Sequence, residues 1–109
     1  MVQVPTIAAY IKADSQNAAN MQYRVIMRFI NENLPGGTCF FFCDHDSDIQ
    51  VEFNRLMYLA GKRKFTNIVT CSRDNLPTNI VSILHLTDLT LSVIHDNSTI
   101  RIIPNNKRT

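Results

Sequence analysis

Four polar stretches hold the side chains of this sequence that could do chemistry. Lys12, Asp14 and Ser15 bring an ammonium, a carboxylate and a hydroxyl together, the makings of a nucleophile beside a charge stabiliser. Asp44-His45-Asp46-Ser47-Asp48 concentrates three carboxylates and an imidazole, which could hold a divalent cation through oxygen ligands. Ser72-Arg73-Asp74-Asn75 sets a guanidinium beside an acid, where they could meet a phosphate. Lys62-Arg63-Lys64 is a short basic run that could also touch phosphate.

Each stretch has a plainer reading. A serine next to an aspartate at a helix start serves as a cap. The acidic turn lacks the glycine and the bidentate glutamate of a calcium loop, so it reads equally as a solvated, helix-capping turn, and no metal is assigned. The basic run falls at the expected C-terminus of a helix, where the macrodipole favours positive charge. Ser72 to Asn75 are residue types common in any turn after a strand. His85 and His95 are paired by motif with no nucleophile and are read as structural. No glycine lies between Lys12 and Asn17, so both nucleotide-binding fingerprints are missing and neither a nucleotide nor any other cofactor is expected. Cys39, Cys43 and Cys71 are an odd number at spacings that suit neither a disulfide framework nor a zinc site. They read as reduced packing thiols, with Cys39 and Cys43 about 13 Å apart on one face of a strand.

The elements that must position these stretches follow from hydrophobic periodicity. Thr6 to Ile11 is a first strand. Met21, Val25, Ile26, Phe29, Ile30 and Leu34 recur at helical spacing, which predicts a helix from Asn17 to Asn33 with all six on its core face, ended by Leu34-Pro35-Gly36-Gly37. Thr38 to Cys43 is apolar on both alternations, as in a strand buried on both faces of a parallel sheet. Ser47 and Gln50 have capping-box spacing before the stripe Ile49, Phe53, Leu56, Met57 and Ala60, with Gly61 placed as the left-handed cap. Phe65 to Cys71 is a third strand, and Pro77 opens a short helix through Ile80, Ile83 and Leu84. Leu89 to Ile94 and Thr99 to Ile103 form a hairpin around His95-Asp96-Asn97-Ser98. The order βαβαβαββ predicts an α/β, three-layer fold: a mostly parallel sheet of about five strands with helices on both faces. Sites in such sheets lie beyond the carboxyl ends of the strands, here Lys12 to Ser15, Asp44 to Asp48 and Ser72 to Thr78.

A chain of 109 residues has room for one domain, 1–109, with residues 1–5 and 104–109 as loose ends. Its formal charge of +2 is far weaker than the basic stripe of a dedicated DNA-binding module, so any nucleic-acid contact must be local. The longest apolar runs fall far short of the roughly 20 residues that cross a bilayer, and no secretion signal opens the chain. The expectation is an intracellular, cytoplasmic protein with no membrane partner.

The strand and helix start Ile7-Ala-Ala-Tyr-Ile-Lys-Ala-Asp-Ser15 resemble the opening of the serine recombinase (resolvase/invertase) catalytic domain, whose first strand ends Tyr-x-Arg-x-Ser-Thr. The resemblance continues through Phe53 to Met57, Gly61 to Val69, the loop Asp74-Asn-Leu-Pro-Thr-Asn79 in place of Asp-Arg-Leu-x-Arg-Asn, and Leu89 to Ile94. It implies a resolvase-like fold and, in the family, attack of a serine on a DNA phosphodiester under arginine stabilisation. This sequence departs at the chemistry. The family serine is Asp14, its first arginine is Lys12, and the two loop arginines are Asn75 and Thr78; only the aspartate, Asp74, is kept. The loop after the second strand is shorter and holds no match for a further arginine. The chain also stops near where the family's dimer-forming helix and DNA-binding domain begin.

The resemblance therefore implies a recombinase-like pseudoenzyme of a DNA recombination or mobile-element system, acting by DNA or protein binding. The DNA contacts would be Lys62, Arg63, Lys64 and Arg73, and the partner DNA, a second copy or a related recombinase subunit. Two alternatives stay open. One is an active recombinase using Ser15, Lys12 and Asp74; the other is a small α/β interaction module unrelated to DNA.

Overall fold

The computed structural model describes residues 4–45, 50–78, 80 and 88–102. Its organising strand is β1 (Thr6–Ala13), which pairs in parallel with β2 (Thr38–His45) on one side and with β3 (Asn67–Thr70) on the other. β3 pairs in parallel with β4 (Leu89–Val93), and β5 (Ser98–Ile102) closes the sheet antiparallel to β4. The five-stranded order is β2-β1-β3-β4-β5, with α1 (Gln16–Asn33) between β1 and β2 and α2 (Val51–Gly61) between β2 and β3. The mostly parallel α/β sheet of five strands expected from the sequence is present. None of the helices among the described residues is long and apolar enough to cross a membrane.

Side chains alternate along a strand, and β1 divides its own between two cores. Ile7, Ala9, Ile11 and Ala13 pack with Ile26 and Ile30 of α1 and with Val69 and Cys71. Ala8 and Tyr10 pack with Phe53, Leu56 and Ala60 of α2, with Phe42 and Phe65, and with Leu89, Leu91 and Val93. Fully buried residues such as Leu56 and Ile26 each contribute about 1.5–3 kcal/mol by leaving water.

Several local expectations are corrected. β2 is an edge strand and is not buried on both faces: Phe40 is 50% exposed and Cys43 is exposed, while Phe42 and Asp44 are its buried residues. A run of aromatic residues marks a strand but does not say how many neighbours it has. On α1, Ile26 and Ile30 are buried and Phe29 and Leu34 half-buried, yet Met21 is 69% exposed and Val25 also faces outward. The apolar stripe is wider than the face β1 and β3 cover.

The chain leaves α1 through Gly36, whose φ of +82° is left-handed, and Gly37, where a Cβ would lie 2.9 Å from Ile7 Cδ1 and 3.0 Å from the Pro5 carbonyl. At the end of α2 the left-handed residue is Arg63 (φ 60°); Gly61 is still helical. Arg63 N donates to the Ala60 carbonyl (2.9 Å) and Lys64 N to that of Leu59 (3.1 Å), a Schellman closure made without its usual glycine. β3 is shorter than the predicted Phe65 to Cys71. The predicted helix through Ile83 and Leu84 lies mostly outside the described residues; the segment before it forms a 3-10 turn over Arg73–Asn75.

Candidate functional site

The connection from β1 runs through α1 to β2 on one flank, and the connection from β2 runs through α2 back across β1 to β3 on the other, so the strand order reverses between β1 and β3. The crevice beyond the carboxyl ends of β1 and β3 is where open α/β sheets hold ligands. β1 delivers Lys12, Asp14 and Ser15 to this end, and β3 delivers Ser72, Arg73, Asp74 and Asn75. The first polar stretch and the Ser72 to Asn75 stretch therefore do meet at one end of the sheet.

Beneath them lies a hydrogen-bonded floor that sequence reading did not find. Asn75 is buried, and its Nδ2 donates to Gln22 Oε1 (3.0 Å) and Thr70 Oγ1 (3.2 Å). Gln22 Nε2 donates in turn to the Lys12 carbonyl (2.8 Å), and Thr70 Oγ1 to the Tyr10 carbonyl (2.9 Å). Gln50 Nε2 donates to the Tyr10 hydroxyl (3.1 Å), and that hydroxyl donates to Asp44 Oδ2 (2.8 Å). Burial pushes the Tyr10 hydroxyl far above its ordinary range; the Gln50 hydrogen bond opposes this and the Asp44 carboxylate adds to it. The network ties β1, α1, β3 and the start of α2 together, and it is occupied with its own members.

The candidate catalytic residues have structural duties or none. Ser15 is the N-cap of α1, its Oγ accepting from Ala18 N at 3.1 Å. Asp74 is exposed, and its N–H donates to Ser72 Oγ (3.1 Å). Arg73 pairs with Asp96 of the β4–β5 turn at 3.3 Å, both half-exposed, an ion pair worth about 0–1 kcal/mol. Among the described residues no acid or imidazole hydrogen-bonds to the Ser15 hydroxyl, as a general base for a nucleophile would.

Asp44 is not part of a solvated turn. It is buried, and its carboxylate accepts from Glu52 N and Phe53 N, both at 2.9 Å, so it caps α2 from the end of the neighbouring strand. Gln50 holds the N-cap position but makes no capping bond with its side chain, in place of the expected box. Ser47, Asp46 and Asp48 lie outside the described residues, as does His85. The described residues contain no cluster of three potential metal ligands. A hollow of about 180 Å³ between Ser15 and His45, lined also by Ala13, Ala19 and Cys43, is too small for most organic ligands.

Lys62, Arg63 and Lys64 do not join this crevice. α2 starts at the carboxyl end of β2 and finishes at the amino end of β3, so the basic run sits at the opposite end of the sheet from Lys12, Ser15, Arg73 and Asp74. There Lys62 Nζ stands 5.0 Å over the Tyr58 ring, and Arg63 borders a hollow of about 400 Å³ with Thr66, Asn67, Asp88 and Thr90. Among the described residues, the ionic groups of the crevice end are mixed, half-buried Lys12 and exposed Arg73 against exposed Asp14, Asp74 and Asp96. His95 lies beside an apolar hollow lined by Ala18, Met21, Val25 and Cys71. Burial pushes the Cys71 thiol there up to about 11.

Gln22 and Thr70 carry no sequence motif, and the partners in the network stand up to 60 residues apart, so only the fold reveals it. Compared with models of protein families, with curated proteins and with solved structures, the chain matches none.

Proposed function

We propose that this chain is a resolvase-like domain, three layers thick with α1 and α2 on opposite faces of the sheet, that does not cleave DNA and acts by binding it. The alternation of β1 side chains between a core containing α1 and a core containing α2 supports the layering. The observation that carries the absence of cleavage is the state of Ser15. Its hydroxyl is spent on capping α1, no base among the described residues is hydrogen-bonded to it, and aspartate fills the place that the family gives to its serine. Phosphoryl transfer relies on cations aimed at the developing charge, and losing one such donor costs about 3 kcal/mol. At the crevice, Asn75 is turned into the floor network and Arg73 is held by Asp96.

Phosphate contact then falls to Lys62, Arg63 and Lys64, where three cations stand in sequence on a helix end. Fluorescence anisotropy of labelled duplex DNA across a salt series is the test. Binding is expected to weaken as salt rises, with a log–log slope of about −3 if all three cations engage phosphates. Lys62→Glu with Lys64→Glu is expected to abolish it, and Lys12→Glu to leave it nearly intact. No binding at low salt would remove the DNA part of the proposal. Nicking of a supercoiled plasmid, with protein covalently joined through Ser15, would remove the non-cleaving part.

A further inference from the structure

β2 presents an unguarded sheet edge. Thr38 N donates to the Pro5 carbonyl, which fixes the alternation of the β1–β2 ladder. Thr38, Phe40, Phe42 and Asp44 turn their backbone groups inward to β1; Cys39, Phe41, Cys43 and His45 turn theirs outward. Among the described residues nothing pairs with those outward N–H and C=O groups, since β2 ends the strand order. Natural edges are usually blunted by lysine, proline, a bulge or brevity. β2 shows none of these: it matches β1 residue for residue over its whole length, and its sequence TCFFFCDH contains neither lysine nor proline. Half-exposed Phe40 and Tyr23, the latter packed against Phe41 at a tilt of 40° with centroids 4.8 Å apart, flank it.

We infer that β2 pairs antiparallel with β2 of a second copy of this chain, joining two sheets into one about a two-fold axis at Phe42. Only an extended strand satisfies a row of outward backbone groups, which narrows the occupant to a strand. The set is also self-complementary. With Phe42 on the axis, Phe41 stands opposite Cys43 of the partner subunit and Cys39 opposite His45 of the partner subunit. Every outward N–H and C=O from Cys39 to His45 then finds a partner, as an isologous interface requires. Sliding the copies one ladder step either way strands a residue. No like charges face each other in this register, because the one carboxylate on the strand, Asp44, is buried and capping α2. The inference is independent of DNA binding, whose basic run follows α2 and is not on this strand.

Sedimentation equilibrium of the full chain across the micromolar range is expected to show a reversible dimer. Phe41→Pro removes an outward donor without touching the ladder to β1, and is expected to give a folded monomer; Cys43→Lys, on an exposed side chain, is expected to do the same. The thiols report the register. Under mild oxidation wild type stays uncrosslinked, whereas Phe41→Cys gives a disulfide-linked dimer through Cys43 of the partner subunit. A wild-type monomer at every concentration, or a dimer unmoved by both edge variants, overturns the interface. Rapid wild-type crosslinking of Cys39 to Cys43, or of Cys43 to itself, overturns the register.

Discussion

Asp44 shows how a side chain rich in chemical possibility is used up by structure. Buried at the end of β2, it accepts two backbone N–H groups of α2 and the Tyr10 hydroxyl. Asp44→Ala is expected to cost about 2–3 kcal/mol, through a lost cap and a buried phenol left without its acceptor. Asp44→Asn keeps one acceptor oxygen and should cost less; urea unfolding of the two variants measures the difference, and equal, negligible losses would contradict the capping role. Ser15 was legible as a cap because its partner, Ala18, is local. For Asp44 the sequence suggested a capping turn, but not that this residue is buried or which N–H groups it takes, since they belong to a helix whose start the sequence placed earlier. Asn75 stood out as the end of a polar turn and as a residue where the family has arginine, and its bonds to Gln22 and Thr70 exist only once β3 lies beside β1.

Among the elements, periodicity located both described helices and all five strands to within a few residues, because helical and strand spacings write the core directly into the sequence. It could not show that β2 lies at an edge or that Met21 and Val25 lie beyond the reach of the sheet, since both depend on what packs nearby. Punctuation misled at α2, where the only nearby glycine, Gly61, drew the cap assignment away from Arg63. A left-handed non-glycine residue costs roughly 1–2 kcal/mol, part of which glycine returns through its freer unfolded chain. Arg63→Gly is therefore expected to stabilise the protein by about 0.5–1 kcal/mol while weakening the DNA binding proposed above. A thermal melt shows the first effect and anisotropy the second; destabilisation would mean that the Arg63 side chain contributes more than its backbone costs.

At the scale of the molecule, the two ends of the sheet divide the four DNA contacts that the resemblance implies, with Arg73 beside Ser15, Lys12 and Asp74 at one end and the Lys62 to Lys64 run at the other. The interior also sets a pH limit. Burial raises the thiols of Cys39 and Cys71 to about 11 and the Tyr10 hydroxyl higher still. The native state keeps these protons where the unfolded chain, releasing them from about pH 9 upward, does not. Stability from this source is full below about pH 9 and is lost as pH climbs through 11. The urea midpoint is expected to fall over that range and to fall less in Cys71→Ala; a flat midpoint would contradict the assignment. The central place of β1 has a last consequence, for the chain during its synthesis. β1 and β2 can pair once both have left the ribosome, but β3 follows β2 by about 20 residues, or about 1–4 s at ordinary translation rates. For that interval the nascent sheet has two open edges, at β1 and at β2, and is most exposed to capture by a chaperone or by a neighbouring chain.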